Sequence, residues 1–353
     1  MRRVLAAAVV TLLVIAPVGG APCTPPGASL AGSHRPAPLR APQAGAASHL
    51  LVIVGLAGDE ENAAVFHRWA SRLVDAARDR GLAAESIIYL GEDPARDPAR
   101  IKGRSTREGI EAAVAALAAR ARPGDLVFIV LIGHGSSSRG ETRFNLPGPD
   151  LGTVEFAALA SRFGAQRVTF VNTASASGGF AAALAGRDRV VVTATKTDAE
   201  RNQTRFAEFF VEALASPDGD LDKDGRVSML EAFAYARQQV AQSYEKDGQL
   251  LTEHALLEDN GDGKGSETPG QPGADGALAR TLFMETAEGG GTGATTDPAL
   301  QALHEERRAI EDRIAALRAA REKTDPAQYA QEMEKLLIEL ARKTREIREK
   351  EKK

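Results

Sequence analysis

Short, uninterrupted apolar runs separated by helix-length segments are the feature that most limits the folds open to this chain. Residues 50–56 read Leu-Leu-Val-Ile-Val-Gly-Leu, and residues 125–132 carry Val127-Phe128-Ile129-Val130-Leu131-Ile132. Residues 86–90, 167–172 and 189–194 continue the series. The runs at 50–54 and 127–132 do not alternate apolar with polar, so they suit strands buried on both faces. Between them, residues 60–80 place Phe66, Trp69, Leu73 and Ala77 at helical spacing. Residues 105–121 read as an Ala-rich helix capped by Ser105 or Thr106, with Glu108 available for a capping box. Residues 153–163, 178–184, 204–215 and 228–247 are further helical segments. The alternation predicts an α/β domain over residues 49–285, a mostly parallel sheet with helices on both faces.

The flanking segments have different compositions. Arg2 and Arg3 precede an apolar run over residues 4–18, and Gly19-Gly20-Ala21 supply small residues, so residues 1–21 read as a signal peptide. That run is shorter than the roughly 20 residues a spanning helix needs. An exported protein, periplasmic or secreted, with no spanning segment after cleavage is therefore expected. Residues 22–48 form a Pro/Ala/Gly-rich linker holding Cys23, the chain's single cysteine, so no thiol is available within the domain. A Gly/Thr linker over 286–297 leads to a helical tail over 298–353. In it Leu300, Leu303, Ile310, Ile314 and Leu317 mark one stripe, and Leu336, Leu337, Leu340 and Ile347 a second. A stop and a new cap at Thr324-Asp325-Pro326 predict a helical hairpin or coiled coil, which offers a route to homo-oligomers. A net charge of −4 without a basic patch disfavours nucleic acid as a partner.

Chemistry in an open parallel sheet collects beyond the carboxyl ends of the strands. His134 directly follows the run ending at Ile132, and Thr173-Ala174-Ser175-Ala176-Ser177-Gly178 follows the run ending at Asn172. Gly135 and Gly178 allow tight turns beside these residues, and backbone N–H groups there could hold an oxyanion. Ser175 is the first candidate nucleophile and Ser177 the second. Arg143 and Asn145, in a Pro/Gly-braced loop after His134, are candidate contacts to a ligand carboxylate or peptide backbone. Lys196, Asp198 and Arg201 follow the run ending at Ala194 and offer a further set of contacts.

The pair Ile132-Gly133-His134-Gly135 and Thr173-Ala174-Ser175-Ala176-Ser177-Gly178 resembles the caspase-like cysteine peptidases, over roughly residues 50–247. Phe66-His67-Arg68-Trp69-Ala70 and Tyr89-Leu90-Gly91-Glu92-Asp93 are similar to the legumain-type members in order. The resemblance implies a caspase-like fold with His134 as the base. It also places Ser175 where the family has its cysteine, and Thr173 where an acidic residue is common. A thiol ionises near pH 8.5, whereas a serine hydroxyl needs a base already hydrogen-bonded to it. The expectation is a pseudo-peptidase whose cleft binds peptides or protein partners. The alternative is a hydrolase with Ser175 as nucleophile and His134 as base, its base oriented by Asp150, Asp188 or Asp198.

Residues 220–231 carry a full twelve-residue calcium-loop pattern. Asp220, Asp222, Asp224, Ser228 and Glu231 fall at positions one, three, five, nine and twelve, Gly225 at six, and Arg226 offers its carbonyl at seven. Calcium is the expected cofactor. Residues 258–265 are also acidic and Gly-rich but have no glutamate at position twelve, and form a weaker candidate.

Overall fold

The β-branched and leucine-rich runs form the strands expected of them. The computed structural model describes residues 46–138, 140–271, 274–285, 298–321 and 324–351. The expected signal peptide, Cys23 and the 286–297 linker lie outside these residues. In chain order the elements are β1 (Ser48–Val54), α1 (Glu60–Asp79), β2 (Ile87–Gly91), β3 (Ile101–Arg104), α2 (Arg107–Arg120) and β4 (Leu126–Ile132). There follow β5 (Gly135–Ser138), β6 (Glu141–Phe144), β7 (Leu151–Gly152), α3 (Thr153–Ala160), β8 (Arg167–Asn172), α4 (Gly179–Leu184) and β9 (Arg189–Thr193). The chain continues through α5 (Phe206–Ala215), α6 (Met229–Lys246), β10 (Leu256–Glu258), α7 (Pro298–Ala319) and α8 (Pro326–Glu351).

Seven strands form one sheet in the order β10-β9-β8-β4-β1-β2-β3, parallel throughout except for β10, which runs antiparallel to β9. Alternate residues of β1 enter opposite cores. Leu50, Val52 and Val54 join Phe66, Leu73, Phe210 and Phe233 from α1, α5 and α6. Leu51 and Ile53 join Ile110, Phe156 and Phe180 from α2, α3 and α4. Both faces are thus covered by helices, which is why β4 carries only apolar residues from Leu126 to Ile132.

Thr106 caps α2, its Oγ1 accepting from the Gly109 N–H, so the third helical residue is glycine and Glu108 forms no capping box. Arg143, expected in a loop, lies in β6 of a separate antiparallel sheet of order β5-β6-β7, whereas Asn145 opens the loop that joins β6 to β7. Strands β3 and β10 lie outside the segments that the apolar pattern predicts as strands.

The tail forms the expected hairpin. Ile310, Ile314 and Leu336 pack together with Leu317, Met333 and Leu340, and Lys343 Nζ reaches Glu306 at 2.6 Å. Asp325 caps α8 by accepting from the Ala327 and Gln328 N–H groups. Leu337 does not belong to the inward stripe: it is 46% exposed, because Leu336, Leu340 and Ile347 already occupy the inner face. No helix among the described residues is long and apolar enough to cross a membrane.

Candidate functional site

From β1 the chain moves outward to β2 and β3, then returns to lay β4 on the other side of β1. The switch point of the sheet therefore lies where β1 and β4 part. Residues 55–57 leave β1 there, and Gly133-His134 leave β4. The His134 Nε2 lies 3.2 Å from the Ala57 carbonyl oxygen. A carbonyl can only accept, so this bond puts the ring proton on Nε2 and leaves Nδ1 as the basic nitrogen. Phe66 of α1 packs edge-on against the ring, with centroids 5.1 Å apart at 66°. The backbone around it is tied as well: the Asn145 N–H donates to the His134 carbonyl, and the Leu56 N–H donates to the Asn145 carbonyl.

Strand β8 pairs with β4 in register Leu131↔Asn172, which brings the turn after Asn172 beside Gly135. The Asn172 carboxamide accepts from the Ala174 N–H, and the Thr173 hydroxyl donates to the Leu131 carbonyl. Ala176 holds a φ of 53°, and its N–H donates to the Glu200 carbonyl at 2.7 Å. Ser175 is only 5% exposed. Its hydroxyl donates to the Gly135 carbonyl at 3.1 Å, and its Oγ accepts from the Gly135 N–H at 3.3 Å. A side chain at position 135 would place Cβ 2.2 Å from the Ser175 carbonyl oxygen, so glycine is required for this approach.

The fold brings His134, Gly135 and Ser175 together, but within the described residues no hydrogen bond joins His134 to Ser175. Other candidate residues are engaged within the fold. The Ser177 hydroxyl is fully buried and shared with Thr195, and the Gly178 N–H donates to Thr195 Oγ1. Neither is free to act as nucleophile or oxyanion donor. Gly178 instead permits close packing, since a Cβ there would lie 2.3 Å from the Lys196 carbonyl oxygen. Arg143 is paired with Glu141 at 2.7 Å, and Asn145 spends its backbone on the scaffold while its buried Oδ1 has no partner among the described residues. Among the described residues no carboxylate is hydrogen-bonded to His134: Asp150 accepts from the Leu146 N–H, Asp188 pairs with Arg187, and Asp198 accepts from the Ser137 hydroxyl. Lys196 reaches Glu267 at 2.6 Å, and Arg201 donates to the Asp198 carbonyl. The residue that sequence reasoning missed is Ala57, because its contribution is a backbone carbonyl that no side-chain pattern announces.

The calcium-type loop lies between α5 and α6. Carboxylate oxygens of Asp220, Asp222 and Asp224 gather within 4.8 Å of one another. Lys223 (φ 61°) and Gly225 (φ 92°) wind the loop through the left-handed region. The Asp220 carboxylate accepts from the Asp224 and Gly225 N–H groups, Asp222 from Asp224, and Asp224 from Arg226. Ser228 and Glu231 form the capping box that starts α6, while the other Glu231 oxygen accepts from the Leu221 and Asp222 N–H groups. Glu231 therefore already folds back over the loop. The Arg226 side chain points away, to Glu285 and over the Phe283 ring. Burial, and then the Asp222 carboxylate, push the Asp224 carboxyl up to about 7. Excess negative charge at this density is what a bound divalent cation would neutralise. From the tail, Arg318 Nη1 comes within 3.6 Å of Asp222.

No family model matches the chain, and no curated protein matches it. Among solved structures, the crystal structure of the Drosophila initiator caspase Dronc is similar over 67% of this chain and 88% of that chain, with 11% identity and a TM-score of 0.42.

Proposed function

We propose that this is an exported, caspase-like domain of legumain type that has lost peptidase chemistry, binds a peptide or protein partner in the cleft at His134 and Ser175, and carries a calcium ion in the 220–231 loop. The observation that carries the reading is the state of the Ser175 hydroxyl. Its proton goes to the Gly135 carbonyl, not to the basic nitrogen of His134. A serine nucleophile needs a base within reach to take its proton, with that base oriented for the transfer. Here the base is oriented, by Ala57, but the nucleophile is bound to backbone. A thiolate in the same place would accept the Gly135 N–H and need no proton acceptor.

Calcium fits the donor set: three clustered carboxylates, a backbone carbonyl at Arg226, and Glu231 folded over the loop. These residues would hold the ion and it would supply charge neutralisation and bracing between α5 and α6. The hairpin of α7 and α8 is the surface through which we propose self-association.

A fluorophosphonate serine probe tests the central claim. The expected result is no labelling of the folded protein. Labelling that disappears in Ser175→Ala would overturn the pseudo-peptidase reading in favour of a serine hydrolase.

A further inference from the structure

We propose that the loop from Glu258 to Lys264 is a second divalent-cation site, holding calcium through the Glu258 carboxylate, the Asn260 and Asp262 side chains and the Lys264 carbonyl. The starting point is one atom. Glu258, at the end of β10, is fully buried, and its Oε2 is buried with no hydrogen-bond partner among the described residues. Leaving a buried carboxylate oxygen unmatched is costly, and a protein keeps such a group where something else satisfies it. The carboxylate sits in the hollow of the loop, because its other oxygen accepts from the Gly261 N–H at 2.6 Å and the Gly263 N–H at 3.4 Å.

The loop around this atom repeats the construction of the first one. Glu258, Asn260, Asp262, Gly263 and Lys264 have the spacing of Asp220, Asp222, Asp224, Gly225 and Arg226. Asn260 accepts from the Asp262 N–H and Asp262 from the Lys264 N–H, as Asp222 accepts from Asp224 and Asp224 from Arg226. Gly263, with φ 74°, turns the chain where Gly225 does, with φ 92°. Asn260, Asp262 and Lys264 are exposed, so an ion has a path from solvent.

The neighbouring acids are not competitors for this role. Asp259 accepts from the Gly276, Leu278 and Ala279 N–H groups, and Asp275 from the Asp259 and Asn260 N–H groups. They build the walls. Hard oxygen donors of this kind select calcium or magnesium over softer metals. Position twelve is Pro269, so no bidentate carboxylate closes the shell, and affinity is expected to be weak, about 10⁻⁴–10⁻³ M, with water completing the coordination. The loop lies against α4: a Cβ on Gly263 would come within 3.4 Å of the Ala182 Cα. An ion there would stiffen the helix that follows the Ser175 turn.

The site is independent of the first loop, and calorimetric calcium titration of the full chain separates the two. The expected result is two equivalents for the wild type, one for Asp222→Asn/Asp224→Asn, and none once Asp262→Ala is added to that variant. Asp262 is exposed, so its loss leaves the fold intact, as circular dichroism would verify. The proposal is overturned if the first-loop variant binds no calcium at millimolar concentration, or if its remaining equivalent survives Asp262→Ala. Failure of the first loop alone would look different: one wild-type equivalent, insensitive to Asp222→Asn/Asp224→Asn and lost with Asp262→Ala.

Discussion

Ser175 and Gly135 satisfy each other completely: the serine hydroxyl donates to the Gly135 carbonyl at 3.1 Å and accepts from the Gly135 N–H at 3.3 Å. The same two contacts have opposite meanings for oxygen and sulfur. The hydroxyl keeps its proton and uses it on the carbonyl. A thiol can give its proton up, and the resulting anion would keep the N–H as a donor.

Ser175→Cys is therefore expected to create a reactive thiol. Its pKa should lie below the ordinary value of about 8.5, since the Gly135 N–H donor and the neighbouring His134 ring both favour the anion. The rate of iodoacetamide labelling against pH, with wild type reporting Cys23 alone, measures this. A titration midpoint at or above that of Cys23 would show that the cleft no longer supports a thiolate. Adding His134→Ala should raise the midpoint again.

Gly135 is the steric condition for the whole arrangement. Gly135→Ala is expected to cost about 1–3 kcal/mol, the usual range for forced overpacking, because the new Cβ meets a backbone oxygen that cannot yield easily. Gly164→Ala is the control, its nearest atom being the Ser161 carbonyl oxygen at 3.9 Å. Melting of the two variants should differ by several degrees, with Gly164→Ala close to wild type.

Glu231 holds two jobs that one substitution can separate. Its carboxylate completes the capping box on Ser228, and glutamine fills that role nearly as well. Glu231→Gln should lower the metal-free melting temperature by only a few degrees, about 1 kcal/mol, since the amide keeps an acceptor for Ser228 but loses the one that faces the Leu221 and Asp222 N–H groups. Calcium affinity should fall at least tenfold, about 1.4 kcal/mol. Equal calcium-induced shifts in the two proteins would remove Glu231 from the ligand set.

How far the sequence disclosed this molecule depends on whether the signal was local. Strands β1, β4 and β9 are legible because burial on both faces favours consecutive apolar residues, as in Val127 to Ile132, while β8 holds Val168, Phe170 and Val171 among polar neighbours. Strand β3 carries Ile101 as its one buried side chain at the sheet edge, and β5 reads Gly-Ser-Ser-Ser, so neither has a pattern to find. The calcium-type loop is legible because its carboxylates lie within twelve residues. At the cleft, His134 and Ser175 were legible as residue types, but what decides their chemistry is contributed by backbone. The Ala57 carbonyl lies 77 positions from His134, and the Gly135 amide lies 40 from Ser175. Only tertiary structure fixes such contacts.

Asp224 gives a pH dependence whose sign can be worked out. In the metal-free folded state its carboxyl is pushed up to about 7, well above the ordinary 3.8, mainly by burial and then by Asp222. Between these two values the folded chain binds more protons at this group than the unfolded chain does. Stability therefore falls as pH rises through that window, and is recovered on acidification until the unfolded group also protonates. Buried Glu258, Asp259 and Asp275 are shifted upward as well and add to the same slope. Without calcium, the melting temperature should fall from pH 5 to pH 7 more steeply in wild type than in Asp224→Asn. Saturating calcium should flatten the wild-type slope, since the ion replaces the proton as the partner of the carboxylate. A wild-type slope unaltered by both Asp224→Asn and calcium would mean that Asp224 is already ionised in the folded state, and that the three loop carboxylates sit in better solvated surroundings than their burial implies.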